Sequence, residues 1–436
     1  MTALELLGAR VAAGYGDDLP GALRDAVRLH LVDTVGAWVA AGATPEGRAL
    51  RHFLSPEPND LSGRVGLACA LARSSEVDDI HLASGTTPGA IVVPAALMLA
   101  ASLGRDGVAL AEGIAVGYDA MARLGAALNG PSILYRGIWP TYLCAPFAVA
   151  AVAARLLDLD PKQAAHALAS ALALSAPAVG RQAGAHPSRW LAIGSAAGNG
   201  LVAARSAQAG FTGDLRLFES GFFSSAYGIA VDLPALHDEQ PALGTTSFKP
   251  WCAAKQTMAA AQAVKELVEE GARPSEMSEL VVGVPPPYLK MIDHGVVPGE
   301  RASFLTSVQY QMAVAGLDPD AALDLRAPER VSEAVQQLMG RISVKADEDF
   351  LRHYPGAWPA RVTITTPAGK REKLVLHVPG DPGRAFGEAQ VADKFRRLVA
   401  PVAGERGAEA LLQRSLGALD QAPAALLAEI GQLENA

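Results

Sequence analysis

The chain reads as a mainly α-helical protein with a smaller α+β domain, and three observations predict it. Half of the 436 residues are apolar while only 6% are aromatic, an alanine-rich balance that favours closely packed helices over sheets. Helical periodicity recurs in roughly eight runs before residue 240. After Pro241 strand alternation sets in. A chain of this length is long for one core, so two domains are the default.

Taken in order, residues 3–14 predict a short helix, and Pro20 starts a second in which Leu23, Val27, Leu31, Val32, Val35 and Trp38 form a broad apolar face. Asp33-Thr34 interrupts that face and reads as a buried hydrogen bond between packed helices. Further helices are predicted over 64–74, 90–103, 107–127, 143–157, 162–177 and 190–209. Beyond Pro241, the segment Leu280-Val-Val-Gly-Val and the runs starting at Arg361 and Lys373 read as strands, the last two as a hairpin around Pro367-Ala-Gly. Helices over 252–271, 304–316 and 328–340 lie between them. The tail from 388 to 435 returns to helix, with an Ala/Leu face suited to packing on the first array. The predicted organisation is a helical domain over 1–242, completed by 388–436, and an α+β domain over 243–387.

Composition narrows the functional classes. A net charge of -8, a pI near 5.6 and no run of Lys or Arg argue against nucleic acid as a partner. Cys69, Cys144 and Cys252 are far apart and odd in number, which supplies neither a disulfide framework nor a metal-ligand spacing; a reducing cytoplasm, no metal and no cofactor are expected. The N-terminus Met-Thr-Ala-Leu-Glu has no basic segment followed by an apolar core, and no apolar run reaches membrane-spanning length without Gly, Pro or charge. Small molecules and a second copy of the chain, packed through Ala/Gly-rich helices as a homodimer, are the expected partners.

Chemistry concentrates in Glu76-Val-Asp-Asp-Ile-His-Leu-Ala-Ser-Gly-Thr-Thr-Pro-Gly89. Glu76, Asp78, Asp79 and His81 precede a turn with free hydroxyls, and an apolar helix follows. Crowded carboxylates held by a core helix have their pKa values pushed apart, the usual route to an acid/base pair; the plainer alternative is helix caps beside a surface histidine. Four other places carry candidates. In Gly137-Ile-Trp-Pro-Thr141, Trp139 suits a pocket wall and Thr141 offers a hydroxyl or a cap. In Gly184-Ala-His-Pro-Ser-Arg-Trp190, His186 and Arg189 stand ahead of a helix, Arg189 as a carboxylate site or a surface ion pair. Ser247-Phe-Lys-Pro-Trp-Cys-Ala-Ala-Lys-Gln256 places Lys249, Cys252, Lys255 and Gln256 at the domain junction, where clefts commonly hold ligands but lysines are ordinarily solvated. Tyr310 lies on an apolar helix, as core or as a proton donor.

At these same places the chain resembles the MmgE/PrpD family, which includes 2-methylcitrate dehydratase, cis-aconitate decarboxylase and iminodisuccinate epimerase. The resemblance runs nearly end to end. It is carried by Leu31-Val-Asp-Thr-Val-Gly, Val77-Asp-Asp-Ile-His, Thr87-Pro-Gly-Ala-Ile-Val-Val-Pro-Ala, Gly117-Tyr-Asp and Gly137-Ile-Trp-Pro-Thr. Arg189-Trp-Leu-Ala-Ile-Gly, Phe248-Lys-Pro-Trp-Cys, Ser307-Val-Gln-Tyr and Asp393-Lys-Phe-Arg continue it. It implies a large helical domain with an α+β lid, a homodimer, and an active site between the two domains.

The chain departs from the family pattern at informative points. Thr87-Pro88 stands where the family usually has His-Pro, Trp139 replaces a second family histidine, and Arg189 aligns with a family lysine. Arginine stays charged and clamps a carboxylate, yet it is a poor proton donor. Lys249 and Tyr310 keep the family's lysine and tyrosine, and Glu76 takes the place of an acid. The resemblance therefore implies a lyase, dehydratase or decarboxylase, that removes a proton next to a carboxylate of a small polycarboxylate. Arg189 and Lys249 would hold charge, and Asp79, His81 or Tyr310 would move the proton. An epimerase or isomerase is the second expectation, and a binding protein that kept the fold is the third.

Overall fold

The computed structural model describes residues 1–16, 19–53, 60–175, 188–319, 323–326 and 328–435. They divide into two compact units, one from Met1 to Phe248 together with Phe386 onward, the other from Lys249 to Ala385.

The first unit is organised around the helix Gly89–Leu103, whose residues Gly89 to Ala100 are all buried. A helix apolar on every side has no face to offer solvent and settles in the middle of a bundle. It is flanked by Gly21–Gly42, Leu61–Ser74, Gly107–Ala127, Pro140–Leu156 and Pro423–Asn435. Small residues set the closeness of this packing. A Cβ on Gly66 of Leu61–Ser74 would stand 2.5 Å from the carbonyl oxygen of Gly194 on Ser188–Gln208, so the two helices approach at a distance only glycine permits. The short helices Pro45–Phe53, Gly130–Tyr135 and Phe222–Tyr227 were not foreseen, being too brief to show a period.

The helix Glu388–Leu416 packs on Gly21–Gly42, and Lys394 Nζ lies 2.6 Å from Asp33 Oδ1 and 2.8 Å from the Val77 carbonyl. Asp33 thus makes the expected buried hydrogen bond between packed helices, and its partner's charge makes it an ion pair. Burial raises its pKa, and Lys394 opposes the rise.

The unit also holds a two-stranded ladder, β1 (Ile80–His81) antiparallel to β2 (Thr246–Ser247). That pairing moves the expected domain boundary from 242 to Phe248, because backbone hydrogen bonds tie Thr246 and Ser247 to the acidic stretch. The return boundary lies at Ala385 rather than 387, since Phe386 stacks on Phe248 with centroids 6.0 Å apart.

The second unit is built on a four-stranded sheet in the order β4-β3-β5-β6, with β3 Glu279–Val284, β4 Ile342–Ala346, β5 Ala360–Thr366 and β6 Gly369–Val375. β3 and β4 are parallel, whereas β3–β5 and β5–β6 are antiparallel. The hairpin is tighter than the sequence suggested. Thr366 pairs with Gly369, which closes the turn on Pro367-Ala368 and starts β6 four residues before Lys373. The helix Lys255–Glu269 packs on β5 and β6, and Ser307 splits the expected 304–316 helix by capping Val308–Leu317 after Arg301–Thr306 ends. Among the described residues no helix is long and apolar enough to cross a membrane.

Candidate active site

Asp79 is fully buried and accepts from three donors. Its Oδ1 takes the Gly89 N–H at 2.8 Å, while Oδ2 faces the Tyr118 hydroxyl at 2.6 Å and His30 Nδ1 at 2.7 Å. The first contact explains Gly89. A Cβ there would stand 2.6 Å from Thr34 Oγ1 and 2.8 Å from the Asp79 carboxyl carbon, so a side chain would push the carboxylate off the helix N-terminus, where partial positive charge stabilises it. Burial and the Asp79 carboxylate push the Tyr118 phenol well above its ordinary pKa, which keeps it a donor. The His30 ring stacks on Phe248 at 4.2 Å. A carboxylate so committed fixes the loop that carries it.

Three residues before Asp79, a second cluster forms. Arg73 Nη1 lies 2.9 Å from Glu76 Oε2 and 3.1 Å from Asp78 Oδ1, and Arg189 Nη2 donates to Glu76 Oε1. Both guanidiniums sit over indoles, Arg189 4.0 Å from the Trp190 centroid and Arg73 5.2 Å from that of Trp139. Trp139 and Trp190 meet edge to face at 6.1 Å. Cation–π contact of this kind holds an arginine in place while leaving its edge free to bind an anion. Glu76 pays for its position with φ of 61°, a left-handed backbone that a glutamate adopts only where its surroundings impose it. Arg189 thus makes an ion pair with the chain's own Glu76.

His81 is held on both ring nitrogens, Nδ1 2.9 Å from Ser84 Oγ and Nε2 3.1 Å from Thr245 Oγ1. Burial lowers its pKa from 6.5 to about 4, against the attraction of Asp79 and Asp238. The two hydroxyls brace the His81 ring between the turn and Thr245. A stability consequence follows. Since the folded state binds fewer protons than the unfolded one between pH 4 and 6.5, stability is fully present above 6.5 and falls with pH below it, by up to about 3 kcal/mol. Denaturant unfolding at a series of pH values should show wild type losing stability more steeply than His81→Gln across this window; parallel curves would refute it.

Thr87 and Thr141 are buried together. The Thr87 N–H donates to Thr141 Oγ1 at 3.1 Å, with the two hydroxyls 3.2 Å apart. Trp139, not Thr141, occupies the N-cap of Pro140–Leu156, so the Thr141 hydroxyl serves the Thr87 backbone and not a helix end.

The family model of the MmgE/PrpD N-terminal domain matches residues 7–229 and that of the MmgE/PrpD C-terminal domain residues 251–417. The chain belongs to the MmgE/PrpD family. Members of this family are generally enzymes. No curated protein matches the chain at a significant level.

In this MmgE/PrpD chain the remaining candidates, Lys249, Cys252, Lys255, Gln256 and Tyr310, belong to the second unit. Lys249 is buried, as are Cys252 and Gln256, which removes the solvated reading of that lysine. Lys255 is buried against Asp381 and donates to its Oδ1; burial pulls its pKa down, with Asp381 opposing. Arg301 Nη2 stands 3.5 Å from Cys252 Sγ. Tyr310 meets Phe304 edge to face at 5.0 Å, and burial raises its phenol pKa. His186 lies outside the described residues.

Sequence reasoning missed His30 and Arg73, and it noted Tyr118, Trp190 and Lys394 without giving them a role. Tyr118 had a signal in Gly117-Tyr-Asp, a polar pair inside an apolar helix. His30 and Arg73 had none beyond their places on helices whose other faces are apolar.

Proposed function

We propose that this MmgE/PrpD protein is a cofactor-independent lyase that takes a small polycarboxylate and removes a proton next to one of its carboxylates. The observation that carries this reading is the Arg73/Arg189 pair on its two indoles, which grips one carboxylate already. The strained Glu76 is the placeholder that a substrate carboxylate displaces from Arg189, whose side chain keeps 27% of its surface exposed. A cation near an enolate-like anion stabilises the charge that develops when the α C–H bond breaks; Arg189 is that candidate in the first unit and Lys249 the candidate in the second. Asp79 and His81 hold the acidic loop, and Tyr310, kept protonated by burial, delivers the proton. In dehydration the Tyr310 phenol gives its proton to the β-hydroxyl, which leaves as water, and the resulting phenolate takes the α proton as the C–C double bond forms. In decarboxylation the phenol proton goes to the carbon whose bond to the departing carbon dioxide breaks.

An epimerase is the second reading, favoured by Thr87 next to the Thr141 hydroxyl. A threonine does not protonate a leaving group near neutral pH, and epimerisation needs no leaving group. Incubating the protein with a panel of di- and tricarboxylates in deuterated water separates the readings. A dehydratase gives a new double-bond absorbance and a decarboxylase releases carbon dioxide, whereas deuterium uptake at the α carbon without net turnover overturns the lyase in favour of the epimerase. The absence of all three signals leaves a binding protein.

A further inference from the structure

A second pocket, of about 240 Å³, opens in the first unit between the N-terminal helix Ala3–Ala13 and Gly107–Ala127. Its polar wall is built. The Tyr15 hydroxyl donates to Asp119 Oδ2 at 2.6 Å, Arg123 Nη2 donates to the same oxygen at 2.9 Å, and the Ala242 N–H donates to Oδ1 at 2.9 Å. Asp119 is thereby fully engaged as an acceptor, and the buried Arg123 is locked by it. The guanidiniums of Arg10 and Arg123 then converge on one atom, the Asp238 carbonyl oxygen, at 3.2 and 2.8 Å.

Two cations that share a single carbonyl repel each other unless anions stand beside both. Asp119 balances Arg123 closely. Among the described residues the carboxylate paired with Arg10 is Glu239, at 3.9 Å and largely exposed, a distance and setting in which a surface pair contributes little. Opposite these groups the lining is hydrocarbon, from Val11, Val116, Ala120, Phe147 and Leu168. The pocket is therefore cationic at one end and apolar at the other, and its volume is below the range of drug-sized sites, so its occupant is small.

We infer that this pocket binds a short-chain aliphatic monocarboxylate, the carboxylate on Arg10 and Arg123 and the chain against Phe147 and Leu168. The site is separate from the Arg73/Arg189 cluster and asks for different chemistry, one acid group on an apolar tail rather than several acid groups. It abuts the candidate active site through one helix, because Tyr118 reaches Asp79 while its neighbour Asp119 faces the pocket.

Isothermal titration of the full chain with hexanoate, hexanol and succinate tests this. Hexanoate should bind with a dissociation constant on the order of 1 mM or tighter, and hexanol and succinate at least tenfold more weakly. Ala120→Leu, which fills the apolar end, should abolish hexanoate binding. Arg10→Gln, at a half-exposed position, should weaken it about tenfold, the loss of one charge-assisted contact. Arg189→Gln should leave it unchanged. The inference falls if hexanoate does not bind, if hexanol binds as well, or if Arg189→Gln removes binding while Ala120→Leu does not.

Discussion

Lys394→Met is expected to destabilise the protein by about 3–5 kcal/mol, the usual result of removing one partner from a buried ion pair. Lys394 and Asp33 are 4% and 2% exposed, and the ammonium also donates to the Val77 carbonyl. Methionine fills similar volume but leaves an uncompensated carboxylate and an orphaned carbonyl. The pH dependence identifies the cause. Burial already raises the Asp33 pKa against the pull of Lys394, so without the lysine its folded pKa rises further above the unfolded value. A carboxyl with a raised folded pKa favours folding below its unfolded pKa and loses that contribution as pH rises through the folded one. The deficit of Lys394→Met should therefore be larger at neutral pH than under mildly acidic conditions, and an Asp33→Leu/Lys394→Met double variant should recover most of it. A deficit that ignores pH, or a double variant no better than the single one, would mean that the pair is not the source.

The bundle was legible in the sequence because its helices announce themselves locally. Gly89–Leu103 is apolar for more than three turns, and no strand or loop reading accommodates that length. β4 shows the opposite case. Of Ile342-Ser-Val-Lys-Ala only Ile342 is buried, so an edge strand with one anchoring residue leaves almost no alternation to read. Partner choice was the other blind spot. Nothing in the sequence says that Asp79 pairs with a histidine 49 residues earlier and a tyrosine 39 residues later, or that Asp33 meets a lysine 361 residues away. The acidic stretch was found because charge beside an apolar helix demands an account. Its division into a positioning acid, Asp79, and an acid held by arginines, Glu76, depends on side-chain directions that local pattern does not carry. The same holds for His81, whose two hydroxyl partners lie 3 and 164 residues away.

Lys249→Met is expected to lower the catalytic constant of the proposed reaction by two to three decades, about 3 to 4 kcal/mol of transition-state stabilisation. The lysine follows Phe248, whose ring is fixed by stacking on His30 and Phe386, and precedes Pro250, which biases its backbone to extended geometry. It is 2% exposed, and its charge contributes to lowering the pKa of Lys255. Two ammonium groups close together in a buried region raise each other's cost, and an anionic substrate or enolate relieves that strain most where charge is developing. Lys249→Arg keeps the charge and should restore part of the rate, whereas Lys249→Met should not. Melting temperature and kcat, measured on the same preparations, separate catalysis from structure. A purely structural lysine would lower the melting temperature in Lys249→Met while the remaining folded enzyme turned over at the wild-type rate, and wild-type turnover in that variant would end the assignment.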